Sequence, residues 1–340
     1  MSRYRALAAL AVGSALVLTG CAGTSAAPGG EAAQSSDGVF PVTVDSALGQ
    51  AVIEKKPERV ATVAWSNQEV PLALGVVPVG MAKATWGDDD GDGVLPWVED
   101  KLNELGAETP VLFDETDGID FEAVADTQPD VILAAYSGLT QEDYDTLSKI
   151  APVVAYPDAA WGTTMDQMIQ LNSKALGLES EGDALIEQIK TESQEAFDAH
   201  PTLAEAAPLF AFTDPTDLSK ITYYTSHDPR AGYLHAFGMP EPEQVTKTSA
   251  EIDAFYSDIS SENADVFNDV GLWITYGATD GSTVAQLQAD PLLSKIPAVA
   301  AGHIAVLEDG TPLAASANPS PLSVGWGLSK YLDVLTAALG

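Results

Sequence analysis

The stretch from Trp161 to His200, WGTTMDQMIQLNSKALGLESEGDALIEQIKTESQEAFDAH, constrains the fold of this chain more than any other. Met165, Met168, Ile169, Ala175 and Leu176 recur at roughly helical spacing, the pattern of a helix with one buried stripe. Thr164 and Gln167 form a T-x-x-Q capping box ahead of it, and Gly177 suits its C-terminal stop. A second helix restarts at Ser180 and ends before His200-Pro201. On both sides of this block, short β-type runs alternate with helical patterns. The expectation is an α/β protein of two lobes, residues 41–162 and 178–340, joined by a single connecting helix over residues 163–177.

The first residues are of a different kind. Met1 to Arg5 is a short basic segment, Ala6 to Leu18 is apolar, and Leu18-Thr19-Gly20 places small residues ahead of Cys21. Residues 1–20 thus read as a leader. Cys21 is the one cysteine in 340 residues, so neither a disulfide framework nor a multi-cysteine metal site is available. The L-T-G-C run resembles the bacterial lipobox, which implies a lipidated Cys21 and a protein held on the outer face of the cell membrane. Residues 21–40, rich in Ala, Gly, Ser and Gln, read as a flexible tether.

Charge narrows the partners. Fifty acidic residues stand against fifteen basic ones, a formal net of −35, more negative still once Arg3 and Arg5 leave with the leader. Such a surface repels nucleic acid and anionic lipid, leaving the lipid anchor as the contact with the membrane. No apolar run after the leader is long enough to span a bilayer.

Along the chain, Val60–Ala64, Val76–Met81, Pro129–Ala134 and Val153–Tyr156 read as strands, with helical patterns at Ser66–Leu74, Phe121–Asp126 and Thr140–Ile150. The second half repeats this grammar, with strands at Leu209–Phe212, Ile221–Thr225, Leu272–Tyr276 and Gly302–Leu307. A terminal helix follows over Pro321–Leu339. Alternation of this kind implies crossovers, and so two Rossmann-like lobes with mainly parallel sheets and a ligand cleft between them. The halves echo each other: Glu122 precedes Tyr136 by the same sequence separation as Glu262 precedes Tyr276. Both tyrosines then fall at the carboxyl ends of equivalent strands, where open α/β sheets place ligands.

Catalytic machinery is hard to find. There is no G-x-S-x-G, S-x-x-K or H-E-x-x-H, and neither a G-x-G-x-x-G nor a Walker A sequence. The four histidines, His200, His227, His235 and His303, are scattered. No enzyme activity, resident metal or cofactor is expected. What the chain offers instead is aromatic residues at strand ends and loops: Trp65, Trp86, Tyr136 with Ser137, Trp161, Tyr256 and Tyr276. Amphipathic rings around a cleft suit a large ligand with both apolar and polar surface. One further run, Asp88-Asp89-Asp90-Gly91-Asp92-Gly93 continuing to Glu99, satisfies D-x-D-x-D-G-x5-E. Pro96 stands at its ninth position and no convincing helix precedes it. A calcium loop and a flexible acidic loop at the cleft mouth both stay open.

Five stretches in order, PERVATVAWSNQEVPLALGVVPVG, PDVILAAYSG, LSKIAPVVAY, YTSHDPR and SPLSVGWGL, make the chain similar to the iron-siderophore substrate-binding lipoproteins of ABC importers. These belong to the class whose lobes are joined by one rigid helix. The resemblance implies a monomeric receptor that captures a ferric siderophore and delivers it to a permease and its ATPase; haem or a corrinoid is the alternative ligand. It places Trp65, Trp86, Tyr136, Ser137, Arg230 and Tyr256 at or near the cleft. It also implies permease docking through one outer acid per lobe, Glu142 or Asp145 in the first and Glu262 in the second. Beyond the leader only Arg59 and Arg230 are arginines. So few fixed guanidinium donors favour a neutral or cationic ferric hydroxamate over a trianionic catecholate.

Overall fold

The computed structural model describes residues 39–340; the leader, Cys21 and all but the end of the tether lie outside them. The described chain opens with an antiparallel pair, β1 (Val42–Asp45) and β2 (Gln50–Ile53). A first five-stranded sheet follows, made of β3 (Val60–Thr62), β4 (Gly80–Ala82), β5 (Val111–Phe113), β6 (Val131–Ala134) and β7 (Val153–Ala155). Its order is β5-β4-β3-β6-β7 and every neighbouring pair is parallel. The second sheet holds β8 (Pro208–Phe212), β9 (Lys220–Tyr224), β10 (Tyr256–Ser260), β11 (Leu272–Gly277) and β12 (Ile304–Glu308). Its order is β10-β9-β8-β11-β12.

Numbered within each sheet, both orders read third, second, first, fourth, fifth. β6 and β11 are therefore equivalent strands, and Tyr136 and Tyr276 both belong to their carboxyl ends. The second sheet differs in direction. β8, β11 and β12 are parallel, whereas β9 runs antiparallel to both of its neighbours. The 213–219 link from β8 to β9 is too short for a crossover, which takes about a dozen residues or more, so the chain turns straight back. Sequence alternation alone did not reveal that reversal, nor the Glu243–Glu251 helix and edge strand β10 that follow it.

Between β7 and β8 the chain runs through two helices, Met165–Leu176 and Glu179–Asp198. The capping box forms as its sequence predicts: the Gln167 backbone N–H donates to Thr164 Oγ1 and the Thr164 N–H to Gln167 Oε1. Gly177 ends the helix at φ 68°, the left-handed region that favours glycine. Met168, Ile169 and Leu176 from this helix join Val131, Leu133 and Val154 of the first sheet and Phe210, Ile274 and Leu307 of the second in one core. Alternate residues of the same strands serve separate outer cores: Ile132 and Ala134 for the first sheet, Leu209 and Trp273 for the second. Each fully buried leucine or isoleucine in these layers contributes about 2 kcal/mol through removal from water.

The chain leaves β12, forms a terminal helix over Ser323–Leu339 and, just before it, touches the first half again. There Leu322 donates its backbone N–H to Glu69 Oε2 at 2.9 Å. Glu69 is fully buried and also accepts from Trp97 Nε1 at 2.7 Å. Burial pushes its carboxyl up to about 7, and these hydrogen bonds only partly offset that. Among the described residues no helix is long and apolar enough to cross a membrane.

Candidate functional site

The carboxyl end of β3 leads into a strained turn. Ala64 and Ser66 take φ values of 61° and 58°, which side chains with a Cβ seldom adopt. Two side chains hold this turn. Glu115 accepts the Ala64 N–H at 3.0 Å. Asn67 donates through Nδ2 to the carbonyls of Val63 (2.9 Å) and Tyr136 (2.8 Å), and its Oδ1 accepts the Tyr136 N–H at 3.1 Å. Asn67 thus fixes the loop bearing Trp65 to the loop bearing Tyr136.

Trp161 closes on the same place. Its φ is 61°, its N–H donates to the Ser137 carbonyl at 2.9 Å, and its ring meets Tyr136 edge to face at 5.3 Å between centroids. The indole lies against Gly138, where an added Cβ would come within 2.2 Å of Trp161 Nε1, so a larger residue here would displace the ring. Across the cleft, Trp86 packs edge to face on Tyr276 at 5.3 Å and tilts against Trp65 at 6.5 Å. Its Nε1–H donates to Asp309 at 3.2 Å.

Charge enters from the helix Pro229–Ala236. Asp228 caps it and Pro229 stands at its first position, a favoured helix start. Arg230 donates from Nη1 to Asp228 Oδ2 at 2.8 Å and from Nε to the Tyr276 hydroxyl at 3.1 Å. Its guanidinium carbon lies 4.7 Å from the centre of the Tyr224 ring, within cation–π range. Burial pushes the Asp228 carboxyl up from its usual range while the neighbouring guanidinium pulls it back. Burial raises the Tyr136 phenol, and raises that of Tyr276 to about 12, so both remain neutral hydroxyls in ordinary conditions. The Tyr136 hydroxyl accepts from Asn318 Nδ2 at 3.2 Å.

These groups enclose a cavity of about 250 Å³ walled by Trp65, Trp86, Tyr136, Trp161, Asp228, Arg230, Phe255 and Asn318. Trp65 and Trp161 also border a second cavity of about 370 Å³ at the ends of the first sheet, where Lys83, Glu115 and Asp143 are found. Burial pushes the Glu115 carboxyl up to about 7, against the lowering effect of the Ala64 N–H. A larger groove of about 700 Å³ adjoins the first cavity at Asp228 and runs among the helices at 164–166, 189–195 and 229–237. Size alone would favour that groove. The two cavities that share Trp65 and Trp161 are the better site, because three tryptophans and Tyr136 wall them beside the paired Arg230 and Asp228.

Trp65, Trp86, Tyr136 and Arg230 are brought together as the sequence suggests, with Tyr276 directly behind Trp86 and Arg230. Ser137 is fully buried, and its hydroxyl has no hydrogen-bond partner among the described residues. Tyr256 is not in this wall: it is 44% exposed at the start of β10, and the residue before it, Phe255, lines the cavity instead. Glu142 and Asp145 are exposed on the helix Gln141–Leu147, and Glu262 is exposed in the first turn of the 3-10 helix Ser261–Phe267; none of the three lines either cavity. Asp228, Asn318, Phe255 and Glu115 join the cavity walls through the tertiary fold. Only Asp228 carried a local signal, as a capping residue before proline.

The acidic run gathers Asp88, Asp90 and Asp92, with carboxylate atoms within 4.8 Å of one another. No helix precedes it, and Glu99 stands outside the group, exposed on the helix Pro96–Leu105. Asp88 instead accepts the backbone N–H groups of Gly91 and Gly93, at 2.9 and 2.7 Å. That acidic run is the one group of three or more His, Cys, Asp or Glu side chains close enough to share an ion among the described residues.

The family model described as "Periplasmic binding protein" matches residues 60–310. The crystal structure of PiaA from Streptococcus pneumoniae TIGR4 in complex with ferrichrome is similar to this chain with a TM-score of 0.84 and 48% identity, covering 88% of this chain and 98% of that one. Among curated proteins of Bacillus subtilis (strain 168), the probable siderophore-binding lipoprotein YfiY is 25% identical over 304 residues, 86% of this chain and 87% of that protein. The uncharacterized ABC transporter substrate-binding lipoprotein YvrC is 24% identical over 197 residues, and the match spans only 57% of its length.

Proposed function

Because the chain belongs to the periplasmic binding protein family, we propose that it captures a ferric siderophore of the hydroxamate type and delivers it to an ABC importer. The observation that carries this reading is the cleft: walls of tilted and edge-to-face aromatic rings around one arginine, in a fold similar to that of PiaA, which was crystallised with the hydroxamate siderophore ferrichrome. No group of three or more His, Cys, Asp or Glu side chains gathers in the cleft among the described residues, which suits a metal already wrapped by its carrier. Iron(III) with three hydroxamates is neutral, so the complex demands no excess of cations. Trp65, Trp86 and Trp161 cover its apolar surface, and Arg230 donates to its ligand oxygens.

The lobes divide at residues 41–162, 163–177 and 178–340, with Met165–Leu176 as the stiff connection. Glu142 or Asp145, and Glu262, meet the permease from the outer faces. Cys21 carries the lipid that holds the receptor at the membrane; Cys21→Ser should release it from the detergent phase on partitioning, and a variant that stays membrane-bound would refute the anchor.

Three tryptophans in the cavity wall give the assay its signal. Titration with ferrichrome should produce saturable, one-to-one quenching of intrinsic fluorescence. Saturation by haem or a corrinoid but not by ferrichrome would defeat the ligand assignment.

A further inference from the structure

Arg230 and Asp228 enter the cavity as a pair. Asp228 is 1% exposed and Arg230 18% at the side chain, with 2.8 Å between Nη1 and Oδ2. Both line the same wall, and no other residue of that wall is an acid or base with an ordinary charge at neutral pH. The pair sums to zero. The adjoining cavity adds Lys83 against Glu115 and Asp143, so it supplies no surplus of positive charge either. Arg230 Nη2 has no hydrogen-bond partner among the described residues, whereas Nε and Nη1 are taken by Tyr276 and Asp228. The arginine therefore keeps a directed donor for the ligand while its net field is cancelled from behind.

We propose that Asp228 is the residue that sets the charge preference of this receptor: by neutralising Arg230 it admits uncharged iron complexes and discriminates against anionic ones. The proposal rests on the siderophore reading above. It concerns positioning and field, since Asp228 acts through Arg230. Two unit charges about 4 Å apart still interact strongly where water is thin, so removing one member of the pair changes the potential felt by a charged ligand far more than that felt by a neutral one. Asparagine is close to aspartate in shape and is a good helix cap, so Asp228→Asn removes the charge and retains the start of the Pro229–Ala236 helix.

The test compares ferrichrome, which is neutral, with a ferric tris-catecholate, which carries three negative charges. Both are titrated by tryptophan quenching into the folded wild type and the Asp228→Asn variant, and the quantity read is the ratio of the two affinities within each protein. A purely structural role for Asp228 would weaken both ligands together and leave the ratio unmoved. The expected result is a wild type that prefers ferrichrome and a variant whose ratio shifts toward the catecholate by about tenfold or more, equivalent to about 1.4 kcal/mol. Asp228→Ser, which also caps a helix, should shift the ratio in the same direction and serves if the asparagine variant does not fold. A ratio unchanged in the variants while wild type still binds ferrichrome would overturn the role of Asp228 alone. A wild type that binds neither complex would instead overturn the siderophore reading, and this inference with it.

Discussion

Glu115 and Asp228 are both acids at the cleft, one on each side, and only one of them has a cation. Glu115 belongs to the side built by the first sheet, where it accepts a backbone N–H from the strained turn at Ala64. Asp228 belongs to the side built by the second sheet and is paired with Arg230. The two sheets share one strand order, but β9 is reversed in the second. Asp228 and Arg230 follow that reversed strand, so the difference arises in the scaffold as well as in the loops. On the first side a carboxyl shapes the backbone that presents Trp65. On the second a carboxylate tunes an arginine. The equivalent tyrosines repeat the contrast: the Tyr136 hydroxyl meets the neutral amide of Asn318, and that of Tyr276 meets the Arg230 guanidinium.

The largest effect should come from breaking the charged side. Arg230→Ala strands Asp228 as an unpaired buried charge and removes the directed donor. Breaking such pairs costs about 3–5 kcal/mol. Ferrichrome affinity should fall by about a hundredfold or more in fluorescence titration, with a lowered unfolding temperature. An unchanged affinity would show that the two sides do not differ in the way described.

A smaller effect, and one that depends on pH, belongs to Glu115. Its carboxyl is raised from 4.5 to about 7 in the fold. Between those values the native state holds a proton that the unfolded chain has released. This contribution to stability is fully present below about 4.5 and is lost as pH rises through about 7, with a ceiling of about 3 kcal/mol. Glu115→Gln has no such loss. The variant should therefore gain on wild type in thermal unfolding between pH 5 and 8, and a constant difference across that range would contradict a proton held at Glu115.

The smallest effect is expected at Tyr136. Tyr136→Phe removes one hydrogen bond to Asn318 and keeps the ring against Trp161. Its cost should be about 1 kcal/mol, a several-fold change in affinity by the same titration. A loss as large as that of Arg230→Ala would erase the distinction between the two sides.

How much of this was legible beforehand follows from the range of each interaction. The capping box of Thr164 and Gln167 and the stop at Gly177 are local patterns, and both form as the sequence reads. Which of two neighbouring rings faces a cavity is set by tertiary packing: Phe255 lines the wall, whereas Tyr256 opens the edge strand and is exposed. Glu69 looks like one more surface acid in a chain full of them; its partners Trp97 and Leu322 are 28 and 253 positions away. Asp228 reads as a helix cap from D-P-R, but its pairing with Arg230 depends on how one turn of backbone folds. The antiparallel course of β9 depends on the brevity of a loop that carries no hydrophobic period at all.

The most direct test of the central claim is the crystal structure of this protein with ferrichrome bound. The complex should lie in the cleft, its apolar face against Trp65, Trp86 and Trp161 and its ligand oxygens within hydrogen-bond distance of Arg230. Ferrichrome seated in the larger helix-lined groove beside Met165 and Tyr233, with the aromatic cleft empty, would contradict it.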